Sequence, residues 1–340
     1  MIRYIQRGTH KHIHICIYAY RHTREAAGMN DIITVNTDTS IQTTGISEAL
    51  FYKWIAYIDG TPKTVQTYTR AIRQFMNYLQ AQGITNPCRE DIIAFRDTLA
   101  QTHKANTVNL YLMSTKQFFK WAQAEGIYND IAAHVKPIKQ DRNFKKDNLT
   151  SRQAAGVLSG IDTDTLQGKR DFAIISLMIC TGLRTVEVVR ADIGDIRTVG
   201  DFTALFIQGK GHGAKDNFVK LPAQVEDAIN AYLIRRGKAD DTEPLFASVA
   251  HRNAGERMTT RSISRIAKEA MIDAGINDDR HTAHSLRHTA GTLALLNGST
   301  VQETMQLLRH KDISTTMIYA HNIERADNKS EERIAAAIFA

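Results

Sequence analysis

Residues 308–321 have the sequence LRHKDISTTMIYAH. It carries a histidine, His310, upstream of a tyrosine, Tyr319. A tyrosine hydroxyl becomes a covalent nucleophile when a base or a nearby cation helps to remove its proton. A single tyrosine on a helix is far more often a core or surface residue. The stretch therefore predicts chemistry only if other segments supply partners for Tyr319.

Three upstream segments supply such partners. They are Thr181-Gly182-Leu183-Arg184 with Glu187, the loop Gly209-Lys210-Gly211, and His284-Ser285-Leu286-Arg287-His288. Two arginine forks can bind phosphate oxygens and stabilise the pentavalent phosphate of a displacement without a metal. A lysine on a loop can protonate the departing oxygen. This combination indicates phosphoryl transfer from a diester to a tyrosine.

Structural interpretations of the same residues stay open. Arg184 can simply pair with Glu187 at i+3 of a helix. Lys210 can be a solvated lysine in a surface turn, and Lys215 is a rival in the same loop. The ordered co-occurrence of the segments, rather than any one residue, favours the chemical interpretation.

Two histidines have the spacing of zinc ligands. His284 and His288 stand at i and i+4. The glutamate of the H-E-x-x-H motif is absent, however, and Arg287 would lie beside the metal ion. We therefore predict neither a metal nor an organic cofactor.

The first half of the chain has the periodicity of a small helical domain. Thr61-Pro62 is typical of a helix start. An apolar stripe follows at helical spacing, and it consists of Tyr68, Ile72, Phe75, Met76 and Leu79. Further helices are predicted around Glu90–Ala100 and Ala105–Ala124. Lys63, Arg70 and Arg73 occupy the opposite face, which suits DNA phosphates as well as plain solvent.

The second half predicts a mainly α domain with one small antiparallel sheet. Thr150-x-x-Gln153 is a capping-box start. An apolar helix covers Phe172–Met178 and ends near Thr181-Gly182. Strand-like runs at Phe202–Gln208 and Asn217–Leu221 flank glycines and predict a β-hairpin.

The overall composition indicates which kind of molecule the protein binds. The net charge is +7 and the pI about 9.2, which favours a polyanion such as nucleic acid. Three cysteines lie far apart, an arrangement that suits a reducing cytoplasm. No apolar run reaches the ~18 residues of a membrane span.

The motifs resemble those of the tyrosine recombinase (phage integrase) family over roughly residues 44–325. They are T-G-L-R-x-x-E, G-K-G in a hairpin, H-x-L-R-H, and L-x-H-x-x-x-x-T-T-x-x-Y-x-H. The resemblance implies that Arg184 and Arg287 clamp the scissile phosphate. It further implies that Lys210 protonates the leaving 5′-hydroxyl and that Tyr319 attacks to form a 3′-phosphotyrosyl bond.

The same resemblance assigns supporting roles. His284 would assist proton transfer, His310 would hydrogen-bond the phosphate, and Glu187 would orient the site. Arg309 departs from the family, which commonly has glycine before the histidine. We expect Arg309 to alter the local turn or to add a phosphate contact.

The predicted fold is a mainly α, two-domain C-shaped clamp. A basic leader (1–43), expected to be disordered, precedes a four-helix DNA-binding domain (44–133), a basic linker (134–148), a mixed, mostly α catalytic domain with a small antiparallel sheet (149–325) and a helical tail (326–340). The histidine-rich leader is also open to a metal-binding interpretation, and Met29 to being the natural start.

The predicted function is site-specific recombination through a Holliday junction, without metal or ATP. The expected partners are double-stranded DNA, three further protomers in a tetramer on DNA (a monomer in solution), and an accessory DNA-bending or directionality factor. The alternatives are a type IB topoisomerase and a catalytically inactive DNA-binding regulator. The tail from Ser330, with apolar Ile334, Ile338 and Phe339, is expected to dock on a neighbouring protomer or to fold back on its own chain.

Overall fold

The computed structural model describes residues 46–139, 147–209 and 213–339. These residues form two compact units, which divide within the gap between 139 and 147. The described residues contain thirteen α-helices and one three-stranded sheet. The prediction of a mainly α protein with a small antiparallel sheet is confirmed.

The first unit is a group of four helices. They are α1 (Glu48–Tyr57), α2 (Pro62–Ala81), α3 (Arg89–Thr102) and α4 (Ala105–Ala124). As predicted, Thr61 caps α2, where its hydroxyl accepts a hydrogen bond from the Thr64 backbone N–H at 3.3 Å. A side-chain acceptor satisfies one of the N–H groups that a helix start leaves unpaired.

Aromatic rings form much of the core of this unit. The Phe75 ring lies edge-on to the rings of Phe95 and Phe119, at centroid distances of 5.1 and 5.9 Å. Such edge-to-face pairs stabilise a core beyond the burial of their area alone. Val135, which falls in the predicted linker, is buried in the same core. The chain therefore stays packed on the first unit beyond residue 134.

The second unit contains nine described helices. They are α5 (Ser151–Ser159), α6 (Leu166–Thr181), α7 (Thr185–Arg190), α8 (Ala223–Arg236), α9 (Thr260–Asp273), α10 (Ala283–Leu296), α11 (Val301–Leu308), α12 (Ile313–Asp327) and α13 (Ser330–Phe339). The predicted capping box is present at Thr150, whose hydroxyl accepts from the Gln153 backbone N–H at 3.2 Å. None of the described helices is both long and apolar enough to cross a membrane.

The sheet consists of three antiparallel strands in sequence order. They are β1 (Ile196–Val199), β2 (Phe202–Ile207) and β3 (Asn217–Lys220). The predicted hairpin corresponds to β2 and β3. The sequence pattern does not predict β1, because the two central residues of this four-residue strand are exposed and it carries little apolar alternation. Lys210 follows β2 in the sequence and lies outside the described residues.

An ion-pair cluster lies just before β3. The Lys215 ammonium donates to Asp192 at 2.5 Å and also to Asp195, whose side chain is 6% exposed. Arg257 donates to the other oxygen of Asp192. Burial lowers the pKa of Lys215, but the two carboxylates raise it above its ordinary value overall. Lys215 therefore has a structural role, as the partner of two carboxylates.

Close packing joins α10, α11 and α12. Leu308, at the end of α11, is fully buried and packs with Ala290 and Tyr319. A Cβ atom at Gly291 of α10 would lie 2.8 Å from Cδ1 of Leu308 and 3.5 Å from Cζ of Tyr319. Glycine at 291 therefore lets α10 approach both side chains.

We predict that Gly291→Ala destabilises the protein although alanine is the better helix former. Crowding a packed core costs about 1–3 kcal/mol, which exceeds the ~1 kcal/mol gain in helix propensity. The matched control is Gly156→Ala in α5, where nothing lies within 4 Å of the new Cβ. It should raise the free energy of unfolding, measured in urea, by about 0.5–1 kcal/mol. Equal stabilisation by both substitutions would refute the packing argument.

Candidate active site

Arg184 and Glu187 form a local pair at the start of α7. The Arg184 backbone N–H donates to Glu187 Oε2 at 2.7 Å, and its Nη1 donates to Oε1 at 2.9 Å. The Glu187 side chain is 1% exposed. Burial would raise the pKa of Glu187, but Arg309 and Arg184 hold it below its ordinary value. The carboxylate is therefore ionised and orients Arg184, so the i+3 pairing and a role in the site coexist.

Arg287 on α10 is held by backbone carbonyls. Its Nη1 donates to the carbonyl of Gly182 at 2.5 Å and its Nη2 to that of Leu308. Only 2% of the residue is exposed. Burial, and then the neighbouring guanidinium groups of Arg184 and Arg309, lower its pKa to about 9. The group is still protonated at neutral pH.

Tyr319 on α12 points to His288 on α10. His288 Nδ1 lies 2.7 Å from the Tyr319 hydroxyl oxygen, and the tyrosine is 5% exposed. Burial raises the pKa of Tyr319, while Arg287 and Arg184 act in the opposite direction. A protonated phenol is thus held between a histidine and two cations. His288 belongs to a motif noted in the sequence, yet the predicted catalytic set did not include it.

The histidines around the tyrosine are held neutral. Burial first, and then the repulsion that a protonated His284 and the charged Arg287 would exert on a second imidazolium, lower the pKa of His288 to about 4. Burial also lowers the pKa of His284, whose ring meets that of His288 edge-on at 4.6 Å. Neutral imidazoles can accept a proton or a hydrogen bond.

His310 also lies beside the tyrosine. Its ring stacks over that of Tyr319 at 6.3 Å, and its Nδ1 lies 2.8 Å from Oγ1 of Thr316. Burial, and then the charge of Arg287, lower its pKa to about 4. The contact of Nδ1 with Thr316 fixes the orientation of the ring. Nε2 is the other ring nitrogen that can form a hydrogen bond.

Arg309 has the unusual backbone that its place in the sequence suggests. Its φ of 52° is left-handed, and its guanidinium Nη2 lies 3.2 Å from Glu187 Oε2. Glycine also adopts this backbone readily, so the altered turn and the phosphate contact expected of this residue both stay predictions. The side chain is engaged with Glu187 and with backbone carbonyls.

The described part of the second unit brings together five of the six predicted catalytic residues. They are Arg184, His284, Arg287, His310 and Tyr319. The sixth, Lys210, lies outside the described residues. No group of three or more metal-ligating side chains occurs within residues 46–139, 147–209 and 213–339. The arrangement suits stabilisation of a phosphate next to a tyrosine hydroxyl.

Two family models match the chain. Residues 147–325 match the phage integrase family, and residues 53–126 match the phage integrase N-terminal SAM-like domain. The chain belongs to the phage integrase family of tyrosine recombinases. Its function is accordingly site-specific recombination of DNA, by cleavage and strand transfer through a phosphotyrosine intermediate.

Individual recombinases are similar to this chain in sequence or in fold. The tyrosine recombinase XerD of Listeria monocytogenes serotype 4b (strain F2365) is 30% identical over 272 residues, 76% of this chain and 87% of XerD. The fold is similar to that of XerH site-specific recombinase bound to palindromic difH substrate (TM-score 0.66, 20% identity, 79% of this chain and 80% of that one). It is also similar to the lambda integrase in a tetramer bound to a Holliday junction (TM-score 0.64, 17% identity, 82% and 78%).

The neutral histidines of this recombinase predict a pH-dependent stability. The pKa of His288 is about 4 in the folded protein, against about 6.5 for an unperturbed histidine. Between these values the unfolded chain binds more protons, so the free energy of unfolding decreases as the pH falls from about 6.5 towards 4. His288→Asn should weaken this decrease, measured by urea unfolding at about pH 7 and about pH 5.

His251→Asn, at an exposed position, is the control for the loss of a histidine as such. If His288→Asn retained the full pH dependence of the unchanged protein, the account of a buried neutral histidine would be wrong.

Proposed function

We propose that this recombinase cleaves DNA by attack of its own Tyr319 on a scissile phosphate held by Arg184 and Arg287. The observation that carries the proposal is the 2.7 Å contact between His288 Nδ1 and the Tyr319 hydroxyl, in the field of both arginines. A nucleophile and an acceptor within hydrogen-bond distance are the signature of covalent catalysis.

The phosphate clamp consists of two guanidinium groups that are already oriented. Glu187 holds one side of the Arg184 fork, and the carbonyls of Gly182 and Leu308 hold Arg287. A guanidinium has five N–H donors, so groups remain to bind phosphate oxygens. Because protein groups fix the arginines beforehand, little reorganisation is needed as charge builds up on the phosphate.

The chemical step is an in-line exchange of one ester for another. The Tyr319 oxygen forms a bond to phosphorus while the bond from phosphorus to the 5′-oxygen breaks. The phenol proton passes to His288, which accepts at Nδ1 when its own proton is on Nε2. The negative phosphate offsets the field of the arginines and so raises the proton affinity of this histidine.

The remaining predicted residues complete the proton transfers. Lys210 protonates the departing 5′-oxygen, His284 assists proton transfer beside His288, and His310 hydrogen-bonds the phosphate. The covalent phosphotyrosine retains the energy of the diester, so rejoining needs no nucleotide. Reversal by the 5′-hydroxyl of another strand gives strand exchange through a Holliday junction.

The site has to open to receive DNA. Tyr319 is 5% exposed and Arg287 2%, whereas the Arg184 side chain is 30% exposed. We infer that the phosphate meets Arg184 first and reaches Arg287 only when α12 shifts. This shift breaks the packing of Tyr319 on Leu308. Contacts with DNA then offset the free energy that is lost.

The assembly that performs strand exchange is proposed to be a homotetramer on DNA. Supporting this, a similar fold occurs in a lambda integrase tetramer bound to a Holliday junction. Helix α13 leaves Ile334, Ile338 and Phe339 exposed at 59%, 68% and 85%. An exposed apolar row of this kind is typical of a binding surface, and docking on a neighbouring protomer would cover it.

A substitution at Tyr319 tests the proposed nucleophile. Tyr319→Phe should bind the recombination site as before, since phosphate contacts dominate such interfaces, but should form no covalent adduct with a nicked suicide substrate. The control is Tyr232→Phe, which removes the hydroxyl group of another buried tyrosine in the same unit. It should still form the adduct on a denaturing gel. Trapping of the Tyr319→Phe protein would overturn the assignment.

A substitution at Lys210 tests the proposed general acid. Lys210→Ala should cleave ordinary DNA slowly and recover on a substrate with sulfur at the 5′-bridging position, because a thiolate leaves without a proton. Lys215→Ala is the matched control, since Lys215 pairs with Asp192 and Asp195. It should lower stability and gain nothing from sulfur. If the sulfur substrate rescued Lys215→Ala and not Lys210→Ala, Lys215 would be the general acid instead of Lys210.

A further inference from the structure

Arg309 occupies a backbone position that normally belongs to glycine. It follows α11 with φ 52° and ψ 46°, and no other non-glycine residue of the described segments has a positive φ. Helices commonly end with a left-handed residue, which is usually glycine because a Cβ atom is unfavourable there. A side chain retained at such a position calls for a compensating contact.

The Arg309 side chain makes that contact at the ends of two helices, α11 and α6. Its Nη1 donates to the carbonyls of Leu307 at 2.7 Å and Thr181 at 3.3 Å, and its Nη2 donates to that of Gly182 at 3.2 Å. The side chain is 10% exposed. It therefore ties the end of α11 to the end of α6.

The same guanidinium shares a carboxylate with the phosphate clamp. Glu187 Oε2 accepts from Arg309 Nη2 at 3.2 Å, while Oε1 accepts from Arg184 Nη1 at 2.9 Å. Without Arg309, Oε2 would keep the Arg184 backbone N–H but lose its charged partner. A buried carboxylate with a missing partner is destabilised and rearranges to recover one. The Arg184 fork is the nearest group to be pulled out of place.

We propose that Arg309 is a positioning residue of the recombination site, which sets the orientation of Arg184 through Glu187 and the place of His310 through the turn after α11. The inference rests on the proposed roles of Arg184 and His310. A plain helix cap would stabilise the fold without affecting cleavage. A positioning residue has to change the rate of cleavage of DNA that is already bound.

The test compares substitutions at 309 that suit the left-handed backbone. Arg309→Gly and Arg309→Asn both tolerate this conformation, and neither reaches Glu187. Arg309→Lys retains the charge, and Arg252→Gly removes an exposed arginine as the control. Each protein is saturated with a suicide substrate, and the single-turnover rate of adduct formation, the Kd for DNA and the melting temperature are measured.

We expect Arg309→Gly and Arg309→Asn to form the adduct at least about tenfold more slowly at saturating DNA, a change of ~1.4 kcal/mol in the barrier. Their Kd should change less than the rate, Arg309→Lys should recover part of the rate, and Arg252→Gly should behave as the unchanged protein. Because asparagine and glycine test the same loss, one folded variant of the two is sufficient.

Unchanged cleavage by a folded Arg309→Gly or Arg309→Asn protein, with only the melting temperature lowered, would overturn the inference and leave a cap. Failure of the proposed function is separately visible, because the unchanged protein would then form no adduct that depends on Tyr319.

Discussion

The site depends on one buried carboxylate. Glu187 is 1% exposed at its side chain and pairs with Arg184 and Arg309, and its charge also reaches Arg287. Like charges that are taken out of water repel and are poorly solvated, so three guanidinium groups cannot share this space without an anion. One carboxylate offsets part of their charge and leaves a net positive site. That remaining charge is what a phosphodiester and the negative charge of its transition state require.

Backbone geometry then determines where the cations and the tyrosine lie. The carbonyls of Gly182 and Leu308 hold Arg287, so the ends of α6 and α11 have to meet beside α10. Glycine makes this approach feasible, since a Cβ at Gly182 would lie 2.6 Å from Cδ2 of Leu308. Leu308 in turn packs on Tyr319. The same packing of the helix ends therefore also determines the position of Tyr319, the proposed nucleophile.

Much of this architecture is predictable from the sequence, because it rests on local rules. Helix caps such as Thr150, helical periodicity and the motif residues all depend on neighbours close in the chain. What could not be predicted depends on contacts made in the folded state. The His288–Tyr319 hydrogen bond joins two helices, and β1 is recognisable only once it pairs with β2. The left-handed Arg309 has no local signal beyond its place after a helix, because its compensating partner is Glu187.

We infer that Arg184 and Arg287 are already oriented before DNA binds and keep this arrangement in the complex. A crystal structure of the Tyr319→Phe protein on its recombination site, before cleavage, tests this most directly. We expect Glu187 to keep its ion pairs with Arg184 and Arg309 while Arg184 and Arg287 both donate to oxygens of the scissile phosphate. A structure in which Glu187 has lost Arg184, or in which the scissile phosphate is held away from these two arginines, would contradict it.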